Sequence, residues 1–219
     1  MLEEYFKKYR DNIIGIDQTF DSPYGLQKII YADWTASGRL YRPIEEKIIN
    51  EIAPFVGNTH TETSITGSTM TLAYHQALKI IKDHVGAGPG DIIISSNSGM
   101  TGVVNKFQRI LGFKVHEKYR NKIELGKDEK PVVFVTHMEH HSNQTTWLET
   151  LADVVLIPHD ELGLVDLKTF NQQLKKYSDR KNKIAAVTSC SNVTGIFTPY
   201  FEMAEIIHAH GGLCFVDFA

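Results

Sequence analysis

Short apolar runs alternate with helix-spaced segments along most of this chain, and that rhythm limits the folds open to it. The strand candidates are Asp91–Ser95, Val132–Thr136, Val154–Ile157, Ile184–Ser189 and Leu213–Asp217. Between them lie the helix candidates Thr101–Leu111, Asn143–Leu151, Leu167–Tyr177 and Pro199–His210. Strands separated by helices must cross over, and a crossover returns the chain parallel to its start. The expected fold is therefore α/β, with a mostly parallel sheet and helices on both faces. The run Leu213-Cys214-Phe215-Val216 reads as a buried strand, with an acid, Asp217, at its end.

The part before residue 91 is less regular. Residues 1–11 read as a short amphipathic helix or arm, and Asp21-Ser22-Pro23-Tyr24-Gly25 reads as a turn. Ile29–Asp33 is a short strand candidate. Pro43 stands where a helix would begin, followed by Ile44, Ile48, Ile49 and Ile52 at helical spacing. Ser68 is a candidate cap for the next helix. Residues 114–130 are charged and irregular, which predicts a surface excursion. The expected division is an arm or small-domain segment over 1–28 and one large domain over 29–219.

Composition narrows the function. The 219 residues are 42% hydrophobic with a net charge of −3, so the chain has material for a sizeable core and no basic field for nucleic acid or anionic membrane. Its longest apolar runs are strand-sized, so no membrane span is expected. The N-terminus has acids and no apolar signal core, and cytoplasm is the default expectation. Cys190 and Cys214 both sit in apolar segments and read as small core residues, not a disulfide framework.

In folds of this class ligands gather outside the carboxyl ends of the strands, and the polar motifs cluster there. Ser98-Gly99-Met100-Thr101 joins a strand to a helix. Its free backbone N–H groups, with the Ser98 and Thr101 hydroxyls, suit a phosphate, although an ordinary helix cap has the same look. It lacks the Gly-Lys-Ser/Thr signature of a P-loop. His140, in His137-Met138-Glu139-His140-His141, could stack on a planar heteroaromatic ring, cap a helix, or join His137 and His141 at a metal. Asn192 is either a turn residue or a donor to a ligand oxygen. Asp217, expected to be buried at a strand end, needs a partner, and a ring nitrogen is a good one.

Taken together these segments resemble the class V aminotransferase and cysteine desulfurase family, within the fold type I pyridoxal-phosphate enzymes. Tyr31-Ala32-Asp33-Trp34-Thr35-Ala36 resembles the family's opening strand, and Asn58-Thr59-His60 its "N-x-H-R" loop. Glu139-His140-His141-Ser142-Asn143 with Trp147 is similar to its "EHHSN…W" segment. Ser191-Asn192-Val193-Thr194-Gly195 and His208–Asp217 match two further segments in order. The resemblance covers roughly Tyr31–Ala219.

The resemblance implies pyridoxal 5'-phosphate as cofactor and a small amino acid as substrate. Ser98, Gly99, Met100 and Thr101 would take the phosphate, His140 would stack on the ring, Asn192 would bond the ring hydroxyl, and Asp217 would pair with the ring nitrogen. His60 would lie near the substrate. The reaction would be transamination or desulfuration, in a homodimer, with no nucleic acid, membrane or metal involved.

Two positions depart from the pattern: Thr61 replaces the loop arginine, and Gly99-Met100 replaces a Thr-Thr pair. The Schiff-base lysine of the family follows the aspartate by a few tens of residues, so it is expected beyond Ala219. The large domain is then incomplete, and the 219 residues alone are expected to be inactive. In the family's sheet the strand at Asp91–Ser95 joins the others through strands later than Asp217, and without them its backbone groups would be unpaired. The alternatives are a non-catalytic cofactor-binding fragment and, behind it, a metal-dependent hydrolase built on His137, His140 and His141.

Overall fold

A computed structural model describes residues 2–34 and 36–218. The chain divides into two compact units, Met1–Ile93 and Ile94–Ala219. Among the described residues no helix is long and apolar enough to cross a membrane.

The first unit opens with helix α1 (Leu2–Arg10), acidic in its first turn and basic in its last, as the helix dipole favours. A hairpin follows, strands β1 (Thr19–Ser22) and β2 (Gly25–Lys28), in antiparallel register. The turn signal at Asp21–Gly25 thus closes a hairpin. Helix α2 (Arg42–Lys47) has Pro43 in its first turn and continues as a π-turn over Ile48–Ile52. The long helix α3 spans Ile65–His84 and is capped by Ser64, whose Oγ accepts from the Gly67 N–H at 3.2 Å. The cap expected at Ser68 is therefore one turn too late. A serine inside an amphipathic run has the same sequence appearance as one before it.

Two expected strands are absent. Ile29–Asp33 and Asp91–Ser95 carry no strand pairing. A strand is held by a neighbour's hydrogen bonds and by burial of its side chains. Beyond one hydrogen bond from the Ile29 N–H to the Gln18 carbonyl these segments have no such ladder, and Ile30 and Ile92 are 89% and 83% exposed.

In the second unit the α/β expectation is met. Helix α4 (Gly99–Ile110) and the short α5 (Glu117–Arg120) precede strand β3 (Val132–Thr136). Then come α6 (His141–Leu148), β4 (Asp153–Ile157), α7 (Leu167–Lys176), β5 (Lys183–Thr188), α8 (Tyr200–Ala209) and β6 (Leu213–Asp217). The four strands form one parallel sheet in the order β4-β3-β5-β6.

Alternation along the strands builds two cores. Val132, Phe134, Ala185 and Val187 face α7 and α8, where they meet Phe170, Leu174, Met203 and Ile207. Val133, Val135, Ile184 and Ala186 face the other way, against Trp147 of α6, Phe113, and Val104 of α4. Helices thus cover both faces. Each buried large side chain contributes about 1.5–3 kcal/mol, so the sheet's carboxyl edge rests on a well-packed base.

Candidate active site at the carboxyl edge

The carboxyl ends of β3, β5 and β6 lie side by side. Thr188, the last residue of β5, is in register with Asp217, the last of β6. The ladder continues one step further, because the Ser189 N–H donates to the Asp217 carbonyl at 2.8 Å. Neighbouring strands are about 4.8 Å apart, so residues leaving these ends share one small area. His140 leaves β3, Asn192 leaves β5, and Asp217 terminates β6.

His140 is the N-cap of α6. Its Nδ1 accepts the Ser142 N–H at 3.2 Å and meets the Ser142 hydroxyl at 2.8 Å. Accepting at Nδ1 places the proton of the neutral ring on Nε2. The ring is exposed, so a face is free for stacking. The capping role and the stacking role are therefore compatible.

Asn192 follows a pinned turn. Buried Ser191 accepts the N–H groups of Val193 and Thr194 on its Oγ at 3.3 and 3.2 Å. The Ser191 N–H donates to the Ile196 carbonyl at 2.9 Å, closing the loop back on itself. Thr198 ties the loop to the strand end by donating its hydroxyl to the Thr188 carbonyl. The loop backbone is thus fixed while the Asn192 side chain stays exposed.

Asp217 is half-buried, not buried as expected, because β6 is the sheet's edge strand and has a neighbour on one side. Its carbonyl accepts from Ser189. Among the described residues nothing donates to its carboxylate. An acid at a strand end, paired with nothing in its own unit, is available to a ligand cation.

Ser98–Thr101 open α4. Three residues past the end of α4, the Phe113 carbonyl accepts the Leu151 N–H at 2.8 Å just before β4 begins. Phe107 stands edge-on to Phe215 in the middle of β6, with centroids 5.1 Å apart. The helix therefore runs against the strands and turns its N-terminus toward their carboxyl edge. No side chain caps that N-terminus. Gly99 has φ +63°, a conformation glycine adopts without strain, and open space lies where a Cβ would stand. Ser98 folds over the first turn so closely that a Cβ on Gly102 would fall 1.9 Å from its Oγ.

His60 belongs to the first unit. It adopts φ +64°, donates its N–H to the Thr71 hydroxyl at 3.0 Å, and leaves its ring exposed beside Tyr74. The metal alternative finds no geometric support. His137 directs Nε2 to the Gly163 carbonyl at 3.0 Å and packs edge-on against His159. Among the described residues no group of three or more His, Cys, Asp or Glu side chains could hold a metal ion. Cys190 and Cys214 are free, and burial pushes the Cys214 thiol up to about 11.

One residue of the edge has no role in the sequence reading. Glu139 accepts the Thr136 N–H at 3.2 Å, the Thr136 hydroxyl at 2.6 Å and the Thr188 N–H at 3.0 Å on Oε1. Its Oε2 accepts from Asn143 Nδ2 at 2.7 Å. Burial raises its pKa, and these hydrogen bonds pull the other way without cancelling the rise. Asn143 in turn accepts the Trp147 indole N–H at 3.1 Å and donates to the Ala186 carbonyl at 3.3 Å. Spacing was the available signal: residues 139, 143 and 147 recur every four positions, as side chains stacked along one helix face do.

Comparison with known proteins decides the family. The family model described as aminotransferase class-V matches residues 30–219.

The chain belongs to the class-V aminotransferase family. It is 27% identical over 193 residues to a probable cysteine desulfurase of Halalkalibacterium halodurans, covering 86% of this chain and 44% of that protein. It is 25% identical over 195 residues to a cysteine desulfurase of Haloferax volcanii, covering 86% and 42%. The apo cysteine desulfurase of Thermococcus onnurineus superposes with a TM-score of 0.69 at 20% identity, over 96% of this chain and 46% of that one. Class-V membership and the shared fold thus agree with the α/β architecture. The chain spans less than half the length of these relatives.

Proposed function

We propose that this chain forms the cofactor-binding part of a pyridoxal-phosphate enzyme that transforms a small amino acid, by desulfuration or transamination. The observation that carries the reading is the convergence of an exposed imidazole, a free carboxylate and an uncapped helix N-terminus on one sheet edge.

The donor set suits the cofactor. The first-turn N–H groups of α4, with the Ser98 and Thr101 hydroxyls, suit a phosphate. Met100 would contribute its backbone there. The His140 ring offers a stacking face, and Asn192 an amide for the ring hydroxyl. The Asp217 carboxylate would pair with the ring nitrogen and hold a proton on it. Bound at such a site, pyridoxal phosphate supplies an electron sink for a substrate carbanion. The residues of this chain bind, orient and keep that ring protonated. His60 is proposed as a substrate contact on the family resemblance alone.

The lysine that carries the cofactor is proposed to lie outside residues 1–219. Lys183 is the sheet's own buried lysine, yet it begins β5, and Thr188 ends it. That spacing puts it about 17 Å from the carboxyl edge, where its Nζ donates to the Arg180 carbonyl.

The test is to saturate the chain with pyridoxal phosphate, reduce with borohydride, and map the product by mass spectrometry against a dialysed sample. The expected result is reversible binding, lost on dialysis, with no single lysine modified stoichiometrically. One fully modified lysine within residues 1–219 would overturn the assignment of the lysine. No uptake before dialysis would overturn the cofactor reading.

A further inference from the structure

The proposed site is built from three separate segments, and its geometry depends on what holds β3's exit to the end of β5. The strand pairing itself does not. The β3–β5 register runs from Val132↔Lys183 to Phe134↔Ala185, the first three residues of each strand. Toward the carboxyl edge the two strands are linked through a side chain, that of Glu139.

We infer that Glu139 is a positioning residue for this edge, fixing the β3 exit that carries His140 against the β5 end that leads to Asn192 and registers with Asp217. The inference rests on the cofactor reading for its purpose, but the link itself is independent of it. Oε1 takes donors from both strands, Thr136 and Thr188, at 2.6–3.2 Å. Oε2 takes Asn143 of α6, the helix that His140 caps. All four partners are donors, so the site is made for an acceptor on both oxygens.

Asn143 is held in one orientation. Its Oδ1 accepts from Trp147 and its Nδ2 donates to Ala186 as well as to Glu139. An amide at position 139 would set its own NH₂ against that of Asn143, and Asn143 cannot flip without losing Trp147 and Ala186. Glu139→Gln is therefore nearly isosteric yet chemically mismatched. A charge-assisted hydrogen bond shared between two strands is strong enough that its loss registers at the groups it positions.

The experiment compares wild type, Glu139→Gln, and the double variant Glu139→Gln/Asn143→Asp. In the double variant the amide introduced at position 139 can donate to the carboxylate introduced at position 143 and Trp147 keeps its acceptor, but the Ala186 carbonyl loses its donor, so the rescue is incomplete. Thr146→Val serves as a control for a merely structural loss, since the Thr146 hydroxyl bonds Gln108 in the same core. Two readouts are taken on the folded proteins: pyridoxal phosphate affinity by fluorescence titration, and amide hydrogen exchange at Thr136 and Thr188.

Glu139→Gln is expected to weaken the cofactor about ten-fold and to speed exchange at both amides, with partial recovery in the double variant. Thr146→Val is expected to lower the melting temperature while holding affinity within about two-fold. Wild-type affinity and unchanged exchange in Glu139→Gln would overturn the inference. Should that variant fail to fold, Glu139→Asp keeps the charge but falls a methylene short, and unchanged affinity and exchange there would overturn it equally. If the wild type takes up no cofactor, the cofactor reading fails by itself, and exchange at Thr136 and Thr188 still decides whether Glu139 holds the two strands.

Discussion

The Thr188 backbone N–H donates to the Glu139 carboxylate at 3.0 Å, joining the end of one strand to the loop that leaves its neighbour. Thr188 stands in register with Asp217 on its other side. A continuous path of hydrogen bonds therefore crosses the edge where the cofactor is proposed to sit. It passes from Trp147 through Asn143 and Glu139 to Thr188 and the Asp217 backbone.

Asn143 is the buried hinge of that path. Asn143→Ala would leave the Trp147 indole N–H and the Glu139 Oε2 without partners. Unsatisfied buried groups are costly, and the expected destabilisation is about 2–4 kcal/mol. Urea unfolding of the variant against wild type measures it. A change near zero would show that water replaces the amide.

Gly102 is constrained by Ser98, not by the backbone. Gly102→Ala would place a methyl 1.9 Å from the Ser98 Oγ and force that side chain off the first turn of α4. Ser98 is exposed, and its hydroxyl bonds only the exposed Ser96 hydroxyl at 2.9 Å, so global stability should change by less than about 1 kcal/mol, the helix propensity of alanine offsetting the shift. Pyridoxal phosphate affinity should fall. Thermal melts alongside a cofactor titration separate the two effects.

Asp153 anchors the opposite edge of the sheet. Burial pushes its pKa up, but Lys130 and Arg180, at 2.5 and 2.8 Å, outweigh this and hold it below the usual 3.8. A carboxyl with a depressed folded-state pKa adds stability above its unfolded value and loses it as pH falls through the folded one. Wild type should therefore exceed Asp153→Asn most at neutral pH, with the gap closing below 3.8. Denaturation of both proteins across that range provides the check, and a gap independent of pH would contradict the ion-pair account.

The sheet was legible because its strands are apolar on both faces. Val132–Thr136 and Leu213–Asp217 stand in the structure where their runs lie in the sequence. Ile29–Asp33 and Asp91–Ser95 have the same local character, and pairing is what they lack. Composition marks a segment as able to form a strand, whereas a partner decides whether it does. The positions of His140, Asn192 and Asp217 followed from the rule that loops at the carboxyl edge converge. The half-burial of Asp217 did not, since it depends on β6 having one neighbour. Glu139 was hidden by its setting among histidines, which directs attention to metal and ring chemistry. Its partners Thr136 and Thr188 are 52 residues apart in sequence and become neighbours in the sheet.

The central claim is that the carboxyl edge is a pyridoxal-phosphate site built by His140 and Asp217. The most direct measurement is a fluorescence titration of wild type, His140→Ala and Asp217→Asn with pyridoxal phosphate. Saturable binding to wild type, weakened about ten-fold or more by either substitution, is the predicted result. Equal affinity in all three proteins, or no saturable binding to wild type, would contradict the account.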